Sequence, residues 1–363
     1  MTSEVDARMV EDLLLGSQIG ILSSTSTYPG DLERWAVDLV AERGPLTLVH
    51  PDEVEGRFGR SAMACCVGAM GSLQALQEIP PSGGEAAAAV RALEELVDAP
   101  VACIAPLTIG GLNCMVAIAT AAILGLPILD CDGQGRVLPR IDQTTYALSG
   151  VSVSPLAAVG PWGDTVTLTS KSDRAEPVMR SSLNGMGGWL IAALYPAPAI
   201  RLGDAGIPNA ITDRAAAGAI LRSGRGHESV RIARQLGGRI LGRRTVTDLV
   251  HRQLARAVEP GHQPAQPITM VLAGEDEREP MVLLEIRNEV VLALVDGAVV
   301  ARVPDLVCLL DPLRQRFVDL SDVTVGDVVD VLVLPADRRW MSVEGLRLAG
   351  PTSFGLESPG GVR

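Results

Sequence analysis

The chain contains 363 residues, of which 47% are hydrophobic and only 3% aromatic, and it carries a formal net charge of −12. A chain of this length is long enough for two ordinary domains that each bury a core. Because nucleic acids and anionic membranes attract basic surfaces, the negative charge argues against either of them as the main partner.

The N-terminal segment and the cysteines both predict a soluble, cytoplasmic protein. The start MTSEVDARMVEDLLLG lacks the basic stretch and the long apolar core of a signal peptide. No apolar run reaches the roughly 18 residues of a membrane-spanning helix. The cysteines form no CxxC pair and lie mostly in apolar runs, as reduced buried thiols do. They are Cys65, Cys66, Cys103, Cys114, Cys131 and Cys308.

Hydrophobic spacing predicts helices mixed with strands as far as Leu236. The predicted helices are Val5–Leu15, Asp31–Glu42, Gly84–Val97, Leu112–Leu124, Asp173–Ala193, Asn209–Arg222 and Glu228–Leu236. The predicted strands are Leu46–His50, Ala62–Val67, Val101–Ala105, Leu126–Leu129, Val151–Val159, Thr165–Thr169 and Ala197–Leu202.

The C-terminal third is predicted to consist mainly of strands, namely Arg239–Leu249, Ile268–Leu272, Met281–Ile286, Val290–Val295, Ala298–Val303, Leu306–Leu310 and Val328–Leu334. Asp296-Gly297 between two of them is a typical hairpin turn. The predicted fold class is therefore α/β. An N-terminal α/β domain with a mainly parallel sheet and the candidate site covers residues 1–165. A C-terminal domain, helical at first and then β-rich, covers residues 166–363.

The most informative stretch is a predicted βαβ unit. Two buried strands, Val101–Ala105 and Leu126–Leu129, flank an apolar helix, which is typical of a parallel sheet. Ligands of such sheets bind beyond the carboxyl ends of the strands. Polar residues follow both strands there, at 108–113 and 130–136, so we expect the chemistry of the protein at this edge.

Asp130, Asp132 and Arg136 form the strongest candidate catalytic cluster. Alternate residues of an extended segment point to the same side, so both carboxylates can face one pocket. Two close carboxylates raise the pKa of one of them, which supplies an acid beside a base. Arg136 can hold an anionic substrate group. The same residues also suit a simple turn, because Asp and Gly are common in loops.

Thr108, Gly110, Gly111 and Asn113 lie at the start of the apolar helix. Backbone N–H groups of the two glycines can bind an anion or a developing oxyanion, and Asn113 can add a side-chain donor. Close packing of the helix on the sheet explains the glycines equally well. The short motif around Gln134 lacks GxGxxG spacing, so the sequence predicts no dinucleotide cofactor.

We predict neither a cofactor nor a metal site, although a divalent metal such as zinc is possible. The four histidines show neither HxH nor HExxH spacing, so zinc binding needs long-range assembly with Asp or Cys. Cys131 lies between two carboxylates that disfavour its thiolate, so core packing is the better interpretation of this residue than a nucleophile.

Five stretches occur in the same order in one protein family: IGGLN (109–113), GLPILDCDGQGRVLP (125–139), Asn288-Glu289, VPDLV (303–307) and EGLRLAGPTSFGLE (344–357). On these motifs the chain resembles the S-methyl-thiohydantoin desulfurase-like proteins, whose genes are often found beside hydantoinase genes. The resemblance runs over most of residues 5–357.

The resemblance implies an N-terminal α/β domain and a β-rich C-terminal domain, with the site between them, in an oligomeric protein that acts on five-membered hydantoin-like rings. It implies hydrolysis, in which water adds to the ring carbon that bears sulfur and a thiol or sulfide leaves, with help from a base and an acid. The residues that match the family's distinctive polar positions are Asn113, Asp130, Asp132, Arg136, Asn288, Glu289 and Asp305.

Three features depart from the family pattern. The family has four glycines and Asp-Pro after the first helix, where this chain reads LLLGSQIGILSSTSTYPGDLERW (13–35). The family's acidic residue before IGG is Thr108 here, and the Glu of its GMGRAFPEL stretch is Arg140. These departures leave the predicted fold unaffected but weaken the transfer of the desulfurase activity.

Three functions are therefore compatible with the sequence. The first is a hydrolase that acts on a small cyclic amide-like or amidine-like substrate. The second is a diverged biosynthetic enzyme that uses the same crevice for cyclisation, elimination or condensation. The third is a non-catalytic ligand-binding or partner subunit. We expect a small-molecule substrate and a homo-oligomer, although the third function would instead be supported by a large partner that co-purifies with the chain.

Overall fold

The computed structural model describes residues 3–21, 30–252, 267–276, 278–287, 289–320 and 322–356. These residues divide into two compact units. The first contains the described residues within Met1–Ser17 and Tyr28–Gly218, and the second those within Gln18–Thr27 and Ala219–Arg363. The sequence prediction placed the boundary after residue 165, whereas the contacts assign residues 166–218 to the first unit.

The first unit contains both helices and strands. Its strands are β1 (Ser3–Val5), β2 (Leu46–Val49), β3 (Met63–Gly71), β4 (Val101–Pro106), β5 (Ile128–Leu129), β6 (Cys131–Asp132), β7 (Leu156–Val159), β8 (Thr165–Leu168), β9 (Trp189–Pro198) and β10 (Ile207–Pro208). The helices that begin in it are α1 (Ala7–Ile21), α2 (Gly30–Arg43), α3 (Val54–Phe58), α4 (Leu73–Glu78), α5 (Glu85–Val97), α6 (Gly111–Leu124), α7 (Thr145–Leu148), α8 (Ser172–Ser182), α9 (Ala199–Ala205) and α10 (Ala210–Ser223).

Eight of these strands form one sheet in the order β1-β2-β5-β4-β3-β9-β7-β8. The neighbours β2, β5, β4 and β3 are mutually parallel, and antiparallel strands flank them on both sides. Strand β4, helix α6 and strand β5 form the predicted βαβ unit, in which Ile104 is paired with Ile128. The predicted fold class is confirmed for this domain.

Hydrophobic side chains cover both faces of the sheet. Along β3, Cys65 and Val67 belong to one core cluster, whereas Ala64 and Cys66 belong to the other. This alternation follows from the two-residue period of a strand, and it explains why the strands read as continuous apolar runs. With both faces covered, polar groups of the sheet can concentrate only at the strand ends.

Two predictions in the middle of the chain were wrong. The predicted helix Asp173–Ala193 stops at the end of α8, and its last residues are the start of strand β9. Gly187 and Gly188 lie between these elements with φ of 77° and 84°, a left-handed conformation that ends a helix. The predicted strand Ala197–Leu202 is instead the end of β9 followed by helix α9. A short buried apolar run has no period that separates a helix from a strand.

The second unit is a β-rich domain, as predicted. Its elements are α11 (Glu228–Gln235), β11 (Arg239–His251), β12 (Ile268–Ala273), β13 (Val282–Arg287), β14 (Glu289–Val295), β15 (Ala298–Arg302), β16 (Leu306–Asp311), β17 (Arg316–Phe317), β18 (Val328–Leu334) and α12 (Val343–Ala349). The strands pair antiparallel in the order β15-β14-β13-β12-β11-β18-β16-β17. The predicted hairpin turn is confirmed, because Asp296 and Gly297 connect β14 to β15 with φ of 48° and 82°.

Candidate functional site

The candidate residues lie where three neighbouring parallel strands end. Val49 of β2 is paired with Leu129 of β5, and the N–H of Asp130 donates to the carbonyl oxygen of Val49 over 2.9 Å. On the other side of β5, Ile104 of β4 is paired with Ile128. The residues that follow β2, β5 and β4 therefore meet at one edge of the sheet, as expected for a ligand site in an open α/β sheet.

The carboxylate of Asp132 is held through one of its two oxygens. Oδ2 accepts hydrogen bonds from the backbone N–H groups of Ile109 (2.8 Å), Gln134 (3.2 Å) and Gly135 (2.8 Å). Asp132 is fully buried. Its Oδ1 atom is also buried and has no hydrogen-bond partner among the residues that the structure describes. The arrangement fixes the orientation of the carboxylate and leaves one oxygen to bind something else.

Burial raises the pKa of Asp132 from 3.8 to about 6. The three backbone N–H donors and the guanidinium of Arg214 lower this pKa, but they do not offset the loss of water around the charged form. The Nη2 atom of Arg214 donates to the carbonyl oxygen of Gly135 over 2.7 Å. A carboxyl group with a pKa near neutrality can exchange a proton with a substrate at physiological pH.

Thr108 and Arg136 join the two polar segments. The Oγ1 of Thr108 donates to the carbonyl oxygen of Arg136 over 2.7 Å and accepts a longer bond of 3.3 Å from the N–H of Gly110. Thr108 is 1% exposed and Arg136 is 2% exposed. The structure thus brings the 108–113 and 130–136 segments together around Asp132, with the backbone of Thr108 and Arg136 as part of the frame.

Asp130 has a different set of partners from Asp132. Its Oδ1 accepts from the N–H groups of Ile211 (2.7 Å) and Thr212 (3.2 Å), and its Oδ2 accepts from the Thr212 hydroxyl (2.8 Å). The Nδ1 of His50 lies 3.3 Å from Oδ2. Asp130 therefore binds the first turn of α10, where a carboxylate is favoured by the helix dipole, and also faces a histidine.

The other candidates of this unit have structural contacts. The Oδ1 of Asn113 accepts from the N–H of Ala69 and so ties α6 to β3. The Nε2 of Gln134 donates to the carbonyl oxygens of Arg140 and Gln143, over 3.3 and 3.1 Å. Its Oε1 accepts from the N–H of a residue four positions later. Gly111 begins α6 with φ of 53°. These contacts hold the loops in place around Asp132.

Arg140, which stands where the family pattern has a Glu, belongs to an ion pair. Its Nε donates to Oδ1 of Asp142 over 2.8 Å, and its Nη2 pairs with Oδ2 of the same carboxylate. Burial lowers the pKa of Arg140, but the carboxylate of Asp142 outweighs it, so the net pKa is raised. The positive charge that this departure introduces is therefore compensated locally.

Sequence reasoning did not select His50, Thr212 or Arg214 for the site. The available sequence signal for His50 was its position at the end of a predicted strand. The strand order, which places this residue beside Asp130, cannot be read from the local sequence. Thr212 and Arg214 lie on α10, which approaches α1 very closely. A Cβ on Gly16 would lie 1.7 Å from the carbonyl oxygen of Arg214, so only glycine permits this helix contact.

Of the two described candidates of the second unit, Glu289 lies in the sheet and Asp305 lies in the turn between β15 and β16. Glu289 begins β14 and is 2% exposed. The Oδ1 of Asp305 accepts from the N–H of Ala336 over 3.0 Å. Asn288 lies outside the described residues, and nothing in the structure tests its predicted role.

Among the residues that the structure describes, no group of three or more His, Cys, Asp or Glu side chains is placed to hold a metal ion. In the same part of the chain, no helix is long and apolar enough to span a membrane. Zinc binding, homo-oligomer formation and the cytoplasmic location stay predictions.

The cysteines are all buried. Burial raises the pKa of Cys131 and Cys66 far above the usual range, and that of Cys103 to about 12. The Sγ of Cys131 lies 3.7 Å from the hydroxyl of Tyr146. Thiols with such pKa values are protonated at neutral pH, which agrees with the interpretation of Cys131 as a packing residue.

Comparison with solved structures supports the two-part fold described above. A protein from Chromobacterium violaceum with a known crystal structure is similar to this chain. The superposed region covers 95% of this chain and 95% of that protein's chain, with 22% sequence identity and a TM-score of 0.73. At this identity the likeness shows a common fold. None of the curated proteins compared matches the chain.

Two family models match, and each corresponds to one part of the chain. The S-Me-THD-like N-terminal domain matches residues 9–170, and the S-Me-THD-like C-terminal domain matches residues 170–359. This family suggests a function related to thiohydantoins. Because the two matches together cover nearly the whole chain, the protein belongs to the S-Me-THD-like family, as the sequence motifs predicted.

Proposed function

We propose that this protein is an enzyme that hydrolyses a small thiohydantoin-like or hydantoin-like ring, with Asp132 as its general base. The observation that carries the proposal is the asymmetric environment of the Asp132 carboxylate. Oδ2 accepts three backbone N–H groups, whereas the buried Oδ1 has no partner within the described part of the chain. A buried acceptor without a partner costs free energy, and function is a common reason for retaining one.

The chemistry follows from this arrangement. Three donors on Oδ2 hold the carboxylate still, so Oδ1 can take a proton from a water molecule without losing the orientation of the group. The pKa of about 6 favours this role, because the group is mostly ionised at neutral pH but still a usable base. The water oxygen would then attack the ring carbon that bears the sulfur, and the thiol would leave.

The remaining predicted residues take supporting roles in the proposal. Arg136 anchors or polarises the substrate, and Gly111 and Asn113 stabilise developing charge at the start of α6. The N–H of Gly110 instead donates to Thr108 and supports the loop. Thr108 and Gln134 hold the loops around Asp132 in place. The substrate contacts predicted at Asn288, Glu289 and Asp305 stay predictions and have no part in the proposed step. The proposal includes no metal.

The test uses the full-length protein and 2-methylthio-hydantoin as the probe. Release of methanethiol is followed with a thiol reagent, in the presence and absence of a chelator. We expect turnover in both conditions. Asp132→Asn should lower kcat by about 100-fold or more, the usual size of a general-base effect. Asp164→Asn, at an exposed position of the same unit, is the matched control and should keep wild-type turnover.

Two results would overturn the proposal. One is the absence of turnover by the wild-type protein with this probe and with unmethylated 2-thiohydantoin. The other is full turnover by the folded Asp132→Asn variant. If the wild-type protein turns over neither probe, the biosynthetic and ligand-binding functions become the preferred hypotheses.

A further inference from the structure

A polar cleft of about 710 Å³ lies within the second unit. Its walls come from the start of α11, the middle of β11, strand β18, the β12–β13 loop and the turn between β16 and β17. The volume is in the range of small-molecule sites, which measure about 300 to 1,000 Å³. None of the residues that line the cleft belongs to the candidate site around Asp132.

Three residues that line the cleft each have a buried polar atom without a hydrogen-bond partner in the described part of the chain. These atoms are Oε2 of Glu228, Nε of Arg244 and Oε1 of Gln315. Glu228 is 1% exposed and Arg244 is 7% exposed. An unsatisfied buried polar atom costs free energy, so three of them around one cleft indicate a ligand that carries the complementary groups.

The acceptors Glu228 and Gln315 are held by their other polar atoms. Oε1 of Glu228 accepts from the N–H of Gly226 over 2.5 Å. Nε2 of Gln315 donates to the carbonyl oxygen of Pro312 over 2.9 Å. Each side chain therefore has one atom engaged with the protein and one oxygen left for a hydrogen-bond donor.

The donor Arg244 is fixed in the same way. Its Nη1 donates to the carbonyl oxygen of Arg243 over 2.7 Å and to Oε2 of Glu279 over 2.6 Å. The register of β11 shifts between Ile240 and Gly242, as in a β-bulge, and such irregularities often redirect side chains. A Cβ on Gly242 would lie 2.6 Å from Nη1 of Arg244, so the glycine leaves room for the guanidinium.

The charges around the cleft favour a cationic group on the ligand. Carboxylates outnumber guanidiniums, since the lining includes Glu228, Glu275, Glu279 and Asp330 but only Arg243 and Arg244. Asp330 is paired with Arg243, and Glu279 with Arg244. Glu228 has no ion-pair partner among the described residues. A cationic N–H group at its Oε2 would supply the missing hydrogen bond and compensate the buried charge.

We propose that this cleft binds a small zwitterion of the size of a basic amino acid. The cationic nitrogen group of the ligand donates to Glu228 and Gln315, and its carboxylate accepts from Nε of Arg244. A simple cation would leave the Arg244 donor unsatisfied, and a simple anion would face the carboxylate of Glu228. A carboxylate is the strongest partner for a guanidinium N–H. The inference does not depend on the proposed function, because the two sites share no residue.

The test is isothermal titration calorimetry of the full-length protein with L-arginine, L-citrulline and agmatine. Citrulline has the shape of arginine with an uncharged ureido group, and agmatine is arginine without its carboxylate. Losing one charge-assisted hydrogen bond typically weakens binding by about 10-fold or more. We therefore expect arginine to bind at least about 10-fold more tightly than either of the other two probes.

Two variants locate the site. Glu228→Gln keeps the size of the side chain but removes its charge, so it should weaken arginine binding by at least about 10-fold and citrulline binding by less. Gln315→Met, in the half-buried turn between β16 and β17, removes the other acceptor without changing a strand and should also weaken arginine binding. Glu344→Gln is the matched control, because Glu344 is an exposed residue in the first turn of α12. It should bind arginine as the wild-type protein does.

Three results would overturn the proposal. If arginine does not bind, the three polar atoms serve the fold alone. If agmatine binds more tightly than arginine, the attraction is a general one between a cation and an acidic protein. If Asp132→Asn weakens arginine binding and Glu228→Gln does not, the ligand occupies the other site. A lack of thiohydantoin turnover would count against the proposed function and leave this inference standing.

Discussion

The raised pKa of Asp132 makes a prediction about stability that needs no substrate. The folded state holds the proton of this carboxyl up to about pH 6, whereas the unfolded chain releases it near its ordinary pKa of 3.8. The stabilisation that protonated Asp132 provides is therefore fully present below about pH 4 and is lost as the pH rises through 6. A difference of about two pKa units corresponds to roughly 3 kcal/mol.

Asp132→Asn removes this dependence because an amide does not ionise. We expect the unfolding free energy of the wild-type protein, relative to that of the variant, to fall by roughly 3 kcal/mol between about pH 4 and pH 8. Taking the difference cancels the titration of the other groups, which both proteins share. Asp164→Asn controls for the loss of one carboxylate at an exposed position.

The assay is urea unfolding followed by tryptophan fluorescence. Because two compact units need not unfold in one step, the signal should come from the first unit alone. Trp35, Trp162 and Trp189 lie in the first unit and Trp340 in the second, so a Trp340→Phe background gives this selectivity. If the difference between wild type and variant stays constant from about pH 4 to pH 8, the argument from burial of Asp132 is refuted.

Three further predictions test the packing around the site. Tyr195→Phe removes the hydroxyl that donates to the carbonyl oxygen of Ile141 over 2.8 Å, and it should cost about 2 kcal/mol in urea unfolding. Gly16→Ala forces a Cβ into the facing helix and should cost about 3 kcal/mol, whereas Gly56→Ala, with no atom within 4 Å, should be neutral or slightly stabilising. Cys131 should resist thiol reagents in the native protein at about pH 8 and react after unfolding, since burial raises its pKa; rapid native labelling would contradict this.

Local sequence patterns predicted the structure correctly where a pattern is compatible with only one structure. The hairpin at Asp296-Gly297 was predictable because few residue pairs adopt two successive positive φ values. The βαβ unit was predictable because its helix is longer than any buried strand and is bounded by glycines. The apolar run that forms β9 could not be predicted in this way, because a stretch of its length is compatible with either a helix or a central strand.

The fold class and the family follow from local spacing and shared motifs in the sequence, and the model matches confirm the family. The same motifs select the segment that contains Asp130, Asp132 and Arg136 as the candidate site. Only the tertiary structure shows which oxygen of Asp132 has no hydrogen-bond partner among the described residues, and that the end of β2 brings His50 beside Asp130. Those features depend on strand order and on the approach of α10, and such long-range pairings leave no periodic signal in the chain.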